Sequence, residues 1–283
     1  MSDHPHGPVV GTGSGTQPEP ELVVVADPEA ASQAAAERVA DALTQAVKAR
    51  GRADWATTGG STPVGIYRHL GAVPLRDTVP WNDIHTWWGD DRFVPRDHPL
   101  SNVKPLDDVL LDVGGHEEGT SGLGTGLHIP LGNLHPFRPG EAIGASRDAA
   151  ACAADLAAEL HATGLLTADG WPVFDLVLVG IGPDGHVLSV FPGSGAFDST
   201  DWALAIPAPT HIEPHVERVT LNPAVLGVAR QILVVASGAS KAPILGDIFG
   251  PQRDVRRWPA QLARSPNATW ILDEAAAANL PRR

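Results

Sequence analysis

Short continuous apolar runs alternate along this chain with longer stretches in which apolar residues recur every three or four positions. Leu176 to Val179 reads LVLV, β-branched at two positions, which suits a strand covered on both faces as in a parallel sheet. Leu22 to Ala26 reads as a shorter strand, and Ala36, Val39, Ala40, Leu43 and Val47 give helical spacing over Ala30 to Ala49. Asp54 to Thr57 is a strand leading into GGSTP and a helix over Val64 to Leu70; Ile84 to Trp88 is a strand that ends in GDDR. A helix is expected from about Ser146, closing over Leu165 to Gly170. Further strands fall at Arg218 to Thr220, Gln231 to Ser237 and Ala268 to Asp273, with a helix between Lys241 and Phe249. Repeated βα order predicts an α/β fold with a doubly wound, mostly parallel sheet flanked by helices.

Composition narrows this picture. A chain of 283 residues with 43% hydrophobic content can bury a large core, and nothing in it requires more than one domain, expected over residues 21–283. Residues 1–20, rich in Gly, Pro, Ser and Thr, are expected to be a flexible tail. A net charge of -13 without any Lys/Arg-rich block argues against nucleic acid as a partner and requires a local cationic pocket for any anionic ligand. The single cysteine, Cys152, allows no intrachain disulfide, and the absence of a signal core or a membrane-length apolar run leads to an expectation of a cytoplasmic protein with no membrane partner. Gly114 to Gly126, with six glycines, reads as a loop or insertion.

Four constellations could carry chemistry. Thr58-Gly59-Gly60-Ser61-Thr62-Pro63 places a glycine pair and two hydroxyls before a helix, where exposed amides and the helix dipole favour an anion such as phosphate. Equally, Ser61 or Thr62 could cap the helix with Pro63 in its first turn. Asp90-Asp91-Arg92 could supply a proton acceptor, an orienting group and an anion clamp, or a surface ion pair. Gly180-x-Gly182-x-x-Gly185 formally matches a dinucleotide fingerprint, but it lies far along the chain and Pro192 would interrupt the helix that the fingerprint requires. The same turn delivers Asp184 and His186 beyond a strand end, where ligands bind in open α/β sheets; the bland reading is a packed or capping histidine. Finally, Arg218 and Lys241 are separate cations near predicted strand ends, each an ordinary surface charge alone and a cationic pocket together. The other eleven histidines show no zinc spacing.

In order, these residues resemble the lactonase branch of the family that joins 6-phosphogluconolactonase with glucosamine-6-phosphate isomerase. The resemblance runs from about Leu22 to Leu280. It takes in GGSTP, the triplet Asp90 to Arg92, Val94-Pro95, His98 and Ser101-Asn102, and then GIGPDGH with Ser189 and Phe191 to Ser194. It closes with Arg218-Val-Thr-Leu221, Gly238-Ala-Ser-Lys241 and Trp270 to Asp273. It implies a Rossmann-like fold and hydrolysis of 6-phosphoglucono-1,5-lactone to 6-phosphogluconate in the oxidative pentose phosphate pathway. The isomerase branch resembles D-G-H-x-x-x-N-E-P, D-E-Y and S-Y where this chain has Phe191 before Pro192, Asp90-Asp91-Arg92 and Ser101-Asn102. Departures from the lactonase pattern are Asp91 for a more usual Glu, Val187-Leu188 for a smaller Thr-Ala pair, and no tyrosine in the helix near Asp155.

Lactone hydrolysis needs a base for water, donors for an oxyanion, and a proton for the leaving ring oxygen. Under the resemblance His186, of a residue type titrating near neutrality, fills both proton roles. The oxyanion falls to amides of the glycine turn, with or without Arg92, and the sequence leaves the donors open. Asp184 either orients the ring or holds the turn, and Asp90 positions water or a sugar hydroxyl. Gly59, Gly60, Ser61, Thr62, Arg218 and Lys241 bind the substrate phosphate. No metal or organic cofactor is expected, and the partner is a small sugar-phosphate lactone, bound by a monomer or weak homodimer. Two alternatives are the isomerase/deaminase and a non-catalytic sugar-phosphate sensor on the same scaffold; Ser189 lacks the G-x-S-x-G surroundings of a serine nucleophile.

Overall fold

In the computed structural model, residues 19–111, 126–127 and 129–281 are described; the expected tail up to residue 18 and almost all of the Gly114 to Gly126 segment lie outside them. Twelve strands are present among the described residues: β1 (Glu21–Val25), β2 (Ala53–Thr57), β3 (Ile84–Trp88), β4 (Asp90–Arg92), β5 (Leu134–His135), β6 (Thr167–Ala168), β7 (Trp171–Pro172), β8 (Leu176–Val179), β9 (Ala203–Ile206), β10 (Arg218–Leu221), β11 (Ile232–Ala236) and β12 (Ala268–Asp273). The main helices are α1 (Pro28–Arg50), α2 (Thr62–Leu70), α3 (Ala149–Ala162) and α4 (Ala242–Ile248).

Seven strands form one sheet in the order β1-β12-β11-β8-β2-β3-β5, and every neighbouring pair in it is parallel. Central strands β2, β8 and β11 are buried along their whole length, as expected for a sheet covered on both faces. The first crossover is α1, which lies over β12, β11, β8 and β2 and packs on α2. Its limits are set locally. The Asp27 side chain accepts the Ala30 amide at 2.8 Å, Pro28 occupies the first turn, and Gly51 closes the helix at φ 76°. Its alanine-rich face lets the helix backbone approach the sheet, where Trp55, Trp87, Trp88 and Trp270 are fully buried.

Three expectations change. Arg218 to Thr220 is a strand, but it belongs to a separate antiparallel sheet, β4-β10-β9, in which Asp90-Asp91-Arg92 is itself a strand instead of a loop. The helix predicted from Ser146 spans only Ala149–Ala162, because Asp148 caps it through the Ala151 amide and the chain leaves it at Gly164. Residues 167–172 then form the β6-β7 hairpin. No helix opens directly out of the glycine turn after β8, the next helical residues being the single 3-10 turn at Gly195–Asp198, so the dinucleotide fingerprint has no helix to open. No described helix is long and apolar enough to cross a membrane.

Candidate active site

The carboxyl ends of neighbouring strands β2 and β8 deliver the two glycine segments to one place. A cavity of about 190 Å³ is lined there by Thr58 to Thr62, Asp90, Arg92, Asn102, Gly180 to Gly182, His186, Leu188 and Arg218. Of the ten candidate residues, eight thus meet in one cavity. Asp184 stands behind it. Lys241 lines an adjoining cavity of about 340 Å³ that shares Ser61, Thr62 and Ile181 with the first. Its Nζ donates to the Ile181 carbonyl at 2.7 Å, so the lysine is held against the glycine turn from the far side. Burial lowers the Lys241 pKa from its ordinary value, and the charge of Asp184 opposes that shift.

The turn is shaped around His186. The imidazole Nδ1 lies 2.6 Å from Asp184 Oδ1, which also accepts the His186 amide at 3.1 Å. Burial would raise the Asp184 pKa, but the hydrogen bonds and charge of His186, with a hydrogen bond from His211, hold the carboxyl well below its usual range. An ionised carboxylate only accepts, so Nδ1 carries the hydrogen and Nε2 carries the lone pair. Nε2 has no hydrogen-bond partner among the described residues. Gly182 is required by this packing: a Cβ there would lie 2.0 Å from His186 Nδ1. The Phe191 ring covers the imidazole at 4.7 Å between centroids.

Three amides of the turn are engaged within it, while Gly180 and Ile181 line the cavity. Gly182 N donates to the His186 carbonyl, Gly185 N to the Gly182 carbonyl and His186 N to Asp184. Arg92 lines the same cavity from β4. Its Nη1 is anchored on the Leu100 carbonyl at 2.8 Å, while its Nε is buried without a partner. Arg218 repeats the arrangement, with Nη2 on the Pro214 carbonyl at 2.9 Å and a buried, unpartnered Nε.

Between the two readings of the GGSTP segment, the geometry decides for an open helix end. Ser61 precedes α2 and makes no side-chain cap, so the first amides of a nine-residue helix face the cavity without a hydroxyl partner.

Asn102 was legible only as part of a motif. Its Nδ2 donates to the Asp90 carbonyl at 2.9 Å and to Asp90 Oδ1 at 3.1 Å, and its own carbonyl accepts the Trp88 indole at 3.1 Å. Its side chain fills the space beside Gly59, where a Cβ would lie 2.3 Å away. Asp91 points away from the cavity, fully buried, and accepts the Asn102 amide at 2.6 Å and the Arg92 amide at 2.8 Å. Burial, helped by the charge of Asp90 and opposed by these amides, pushes Asp91 up to about 7. Ser189 donates its hydroxyl to Asp90 Oδ2 at 2.6 Å, which makes it a support for Asp90. Leu188, in place of a smaller residue, sits at φ 55° against the cavity, a left-handed conformation that a branched side chain rarely adopts. Among the described residues no group of His, Cys, Asp and Glu side chains could hold a metal ion.

Residues 26–272 match the family of glucosamine-6-phosphate isomerases/6-phosphogluconolactonase. The chain belongs to that family. It is 32% identical to the 6-phosphogluconolactonase of Streptomyces coelicolor, over 93% of this chain and 95% of that one, and 32% identical to that of Synechocystis, over 84% and 89%. The 6-phosphogluconolactonase structure from Trypanosoma brucei superposes with a TM-score of 0.77 at 27% identity, covering 93% of this chain and 99% of the other. The α/β fold with its parallel sheet is the fold of this family.

Proposed function

We propose that the protein hydrolyses 6-phosphoglucono-1,5-lactone to 6-phosphogluconate, with His186 as the general base on water. One observation carries the reading: an imidazole with its tautomer set by Asp184 shares a single cavity with two arginines and the open N-terminus of α2. One hexose derivative can therefore place its ester carbon at the ring and its phosphate at the cations.

Water bound near Nε2 loses a proton to His186 as its oxygen attacks C1. The C1 oxygen then takes up negative charge, and the guanidinium of Arg92, which lines the cavity, is the cation that meets it; one such donor is worth about 2.7–4 kcal/mol in other hydrolases. As the tetrahedral intermediate collapses, the imidazolium returns its proton to the ring oxygen, which leaves as a hydroxyl. Asp90, braced by Asn102 and Ser189, orients the water or a sugar hydroxyl. The phosphate lies at the amides of Gly60 to Thr62, at the divide between the two cavities, with Arg218 on one side and Lys241 on the other. That anchoring holds the reacting carbon at the histidine. Phe191 stands where the isomerase pattern has a glutamate before the proline; it packs an apolar ring on His186 and offers no second acid for ring opening.

The test is a lactonase assay on freshly generated 6-phosphogluconolactone, with glucosamine 6-phosphate as control. Turnover of the lactone alone is expected, and His186→Ala should lower it about 10²-fold or more with ligand binding nearly intact. Deamination of the amino sugar would move the protein to the isomerase branch, and binding without turnover would make it a sensor.

A further inference from the structure

Asp184 serves two histidines. While Oδ1 takes His186 Nδ1, Oδ2 lies 2.9 Å from His211 Nε2, a residue 27 positions further along, in the connection between β9 and β10. Phe191 stands between the two rings, tilted on His186 at 4.7 Å and edge-on to His211 at 5.7 Å. The two imidazoles differ in access. His211 has 51% of its side chain exposed and does not line the cavity, whereas His186 has 22% exposed and does.

We propose that His211 is a positioning residue that sets the orientation and basicity of His186 through their shared carboxylate; this rests on the reading of His186 as the base. A carboxylate that accepts on both oxygens cannot rotate to follow one partner, so the second imidazole fixes the plane in which the first is held. It also spends part of the carboxylate's charge. When His186 takes a proton, the attraction of Asp184 stabilises the imidazolium. A donor on Oδ2 weakens that attraction and makes the imidazolium a stronger acid, readier to pass its proton to the leaving oxygen. A protonated His211 acts more strongly and in the same direction.

Of the other charged groups around this pair, Lys241 also feels the charge of Asp184, but among the described residues none besides the two histidines hydrogen-bonds its side chain, so none fixes its plane as His211 does. Lys241 is bound to the Ile181 carbonyl on the far side of the turn, and Asp90, Arg92 and Arg218 lie on the cavity side. On the segment of His211 itself, Glu213 is paired with His215 at 3.0 Å.

The experiment compares His211→Ala and His211→Gln with the native chain, using the pH profile of kcat/KM for the lactone and the NMR titration of the His186 ring without substrate. In His211→Ala the acid limb and the ring titration should both move to higher pH by about half a unit or more. Its kcat should fall about 3- to 10-fold with KM within about twofold. Glutamine keeps an N–H donor at similar reach, so His211→Gln should restore most of kcat and return the limb towards its native position. An unchanged His186 titration in His211→Ala overturns the proposal, as does a loss of kcat at an unmoved limb. Full turnover in His186→Ala would refute the base assignment instead, and the ring titration would still report whether the two histidines are coupled.

Discussion

Arg92 and Arg218 stand directly opposite each other across the antiparallel pair β4 and β10, each with its Nε buried and unpartnered. Like charges in facing positions repel, and a buried donor without a partner costs about 1–3 kcal/mol, so an anion bound beside the two guanidinium groups should stabilise this part of the fold. Burial, with the neighbouring charge of Arg92, lowers the pKa of Arg218 from its ordinary value.

The reaction product, 6-phosphogluconate, presents both a phosphate and a carboxylate to this pair. At about tenfold over its Kd it should raise the melting temperature by about 2–3 °C. Arg218→Met removes the repulsion, and without ligand it should melt at or above the native temperature while losing most of the ligand-induced rise. A ligand shift of native size in that variant would take Arg218 out of the anion site.

Gly182 tests whether the turn exists to seat the imidazole. A methyl group there would lie 2.0 Å from His186 Nδ1 and 2.7 Å from Asp184 Oδ1, so Gly182→Ala must displace the ring from its carboxylate. A shift of about 1 Å in a catalytic group costs on the order of 10²-fold in turnover, and kcat should fall by about that much in a variant whose circular dichroism is native. Native kcat would mean that His186 works from another position.

Asp91 makes stability depend on pH in an unusual direction. Unfolded, its carboxyl titrates near 3.8; folded, burial pushes it up to about 7. Between those values the folded chain holds a proton that the unfolded chain has released. The contribution of this group is therefore full below about pH 4, declines as pH rises and is lost above about pH 7, by up to about 1.4 kcal/mol per pH unit. In Asp91→Asn the side-chain carbonyl oxygen could still accept both amides that Asp91 Oδ1 accepts. The melting temperature of that variant relative to native should thus climb from about pH 4 to about pH 7 and then level off. A difference that stays constant with pH would mean that Asp91 does not titrate in that window.

Those outcomes all concern residues whose positions the sequence indicated unevenly. Strands β8 and β11 were readable because a continuous apolar run can be buried on both faces in only a few ways, whereas β2 and β3, which carry polar residues, were read together with the GGSTP and GDDR segments that follow them. The turn carrying His186 was readable because three glycines after such a run bring a ligand to a strand end. The pairing of Arg92 with Arg218 was not, since a three-residue strand has no periodicity and its partner is distant in the chain. Nor was the hairpin over residues 167–172, which the helical spacing before it concealed.

What the sequence determined by itself was the alternation of strand and helix and the supply of a histidine, two arginines and a glycine-hydroxyl segment before a helix, close to predicted strand ends. Only the tertiary structure decided that the N-terminus of α2 is left open, that Arg92 faces Arg218, that Lys241 approaches from the neighbouring cavity, and that His211 reaches Asp184. The physical reason is range. Propensity and burial act over a few residues and are written locally, whereas register, charge opposition and shared hydrogen bonds exist only after distant segments have been packed together.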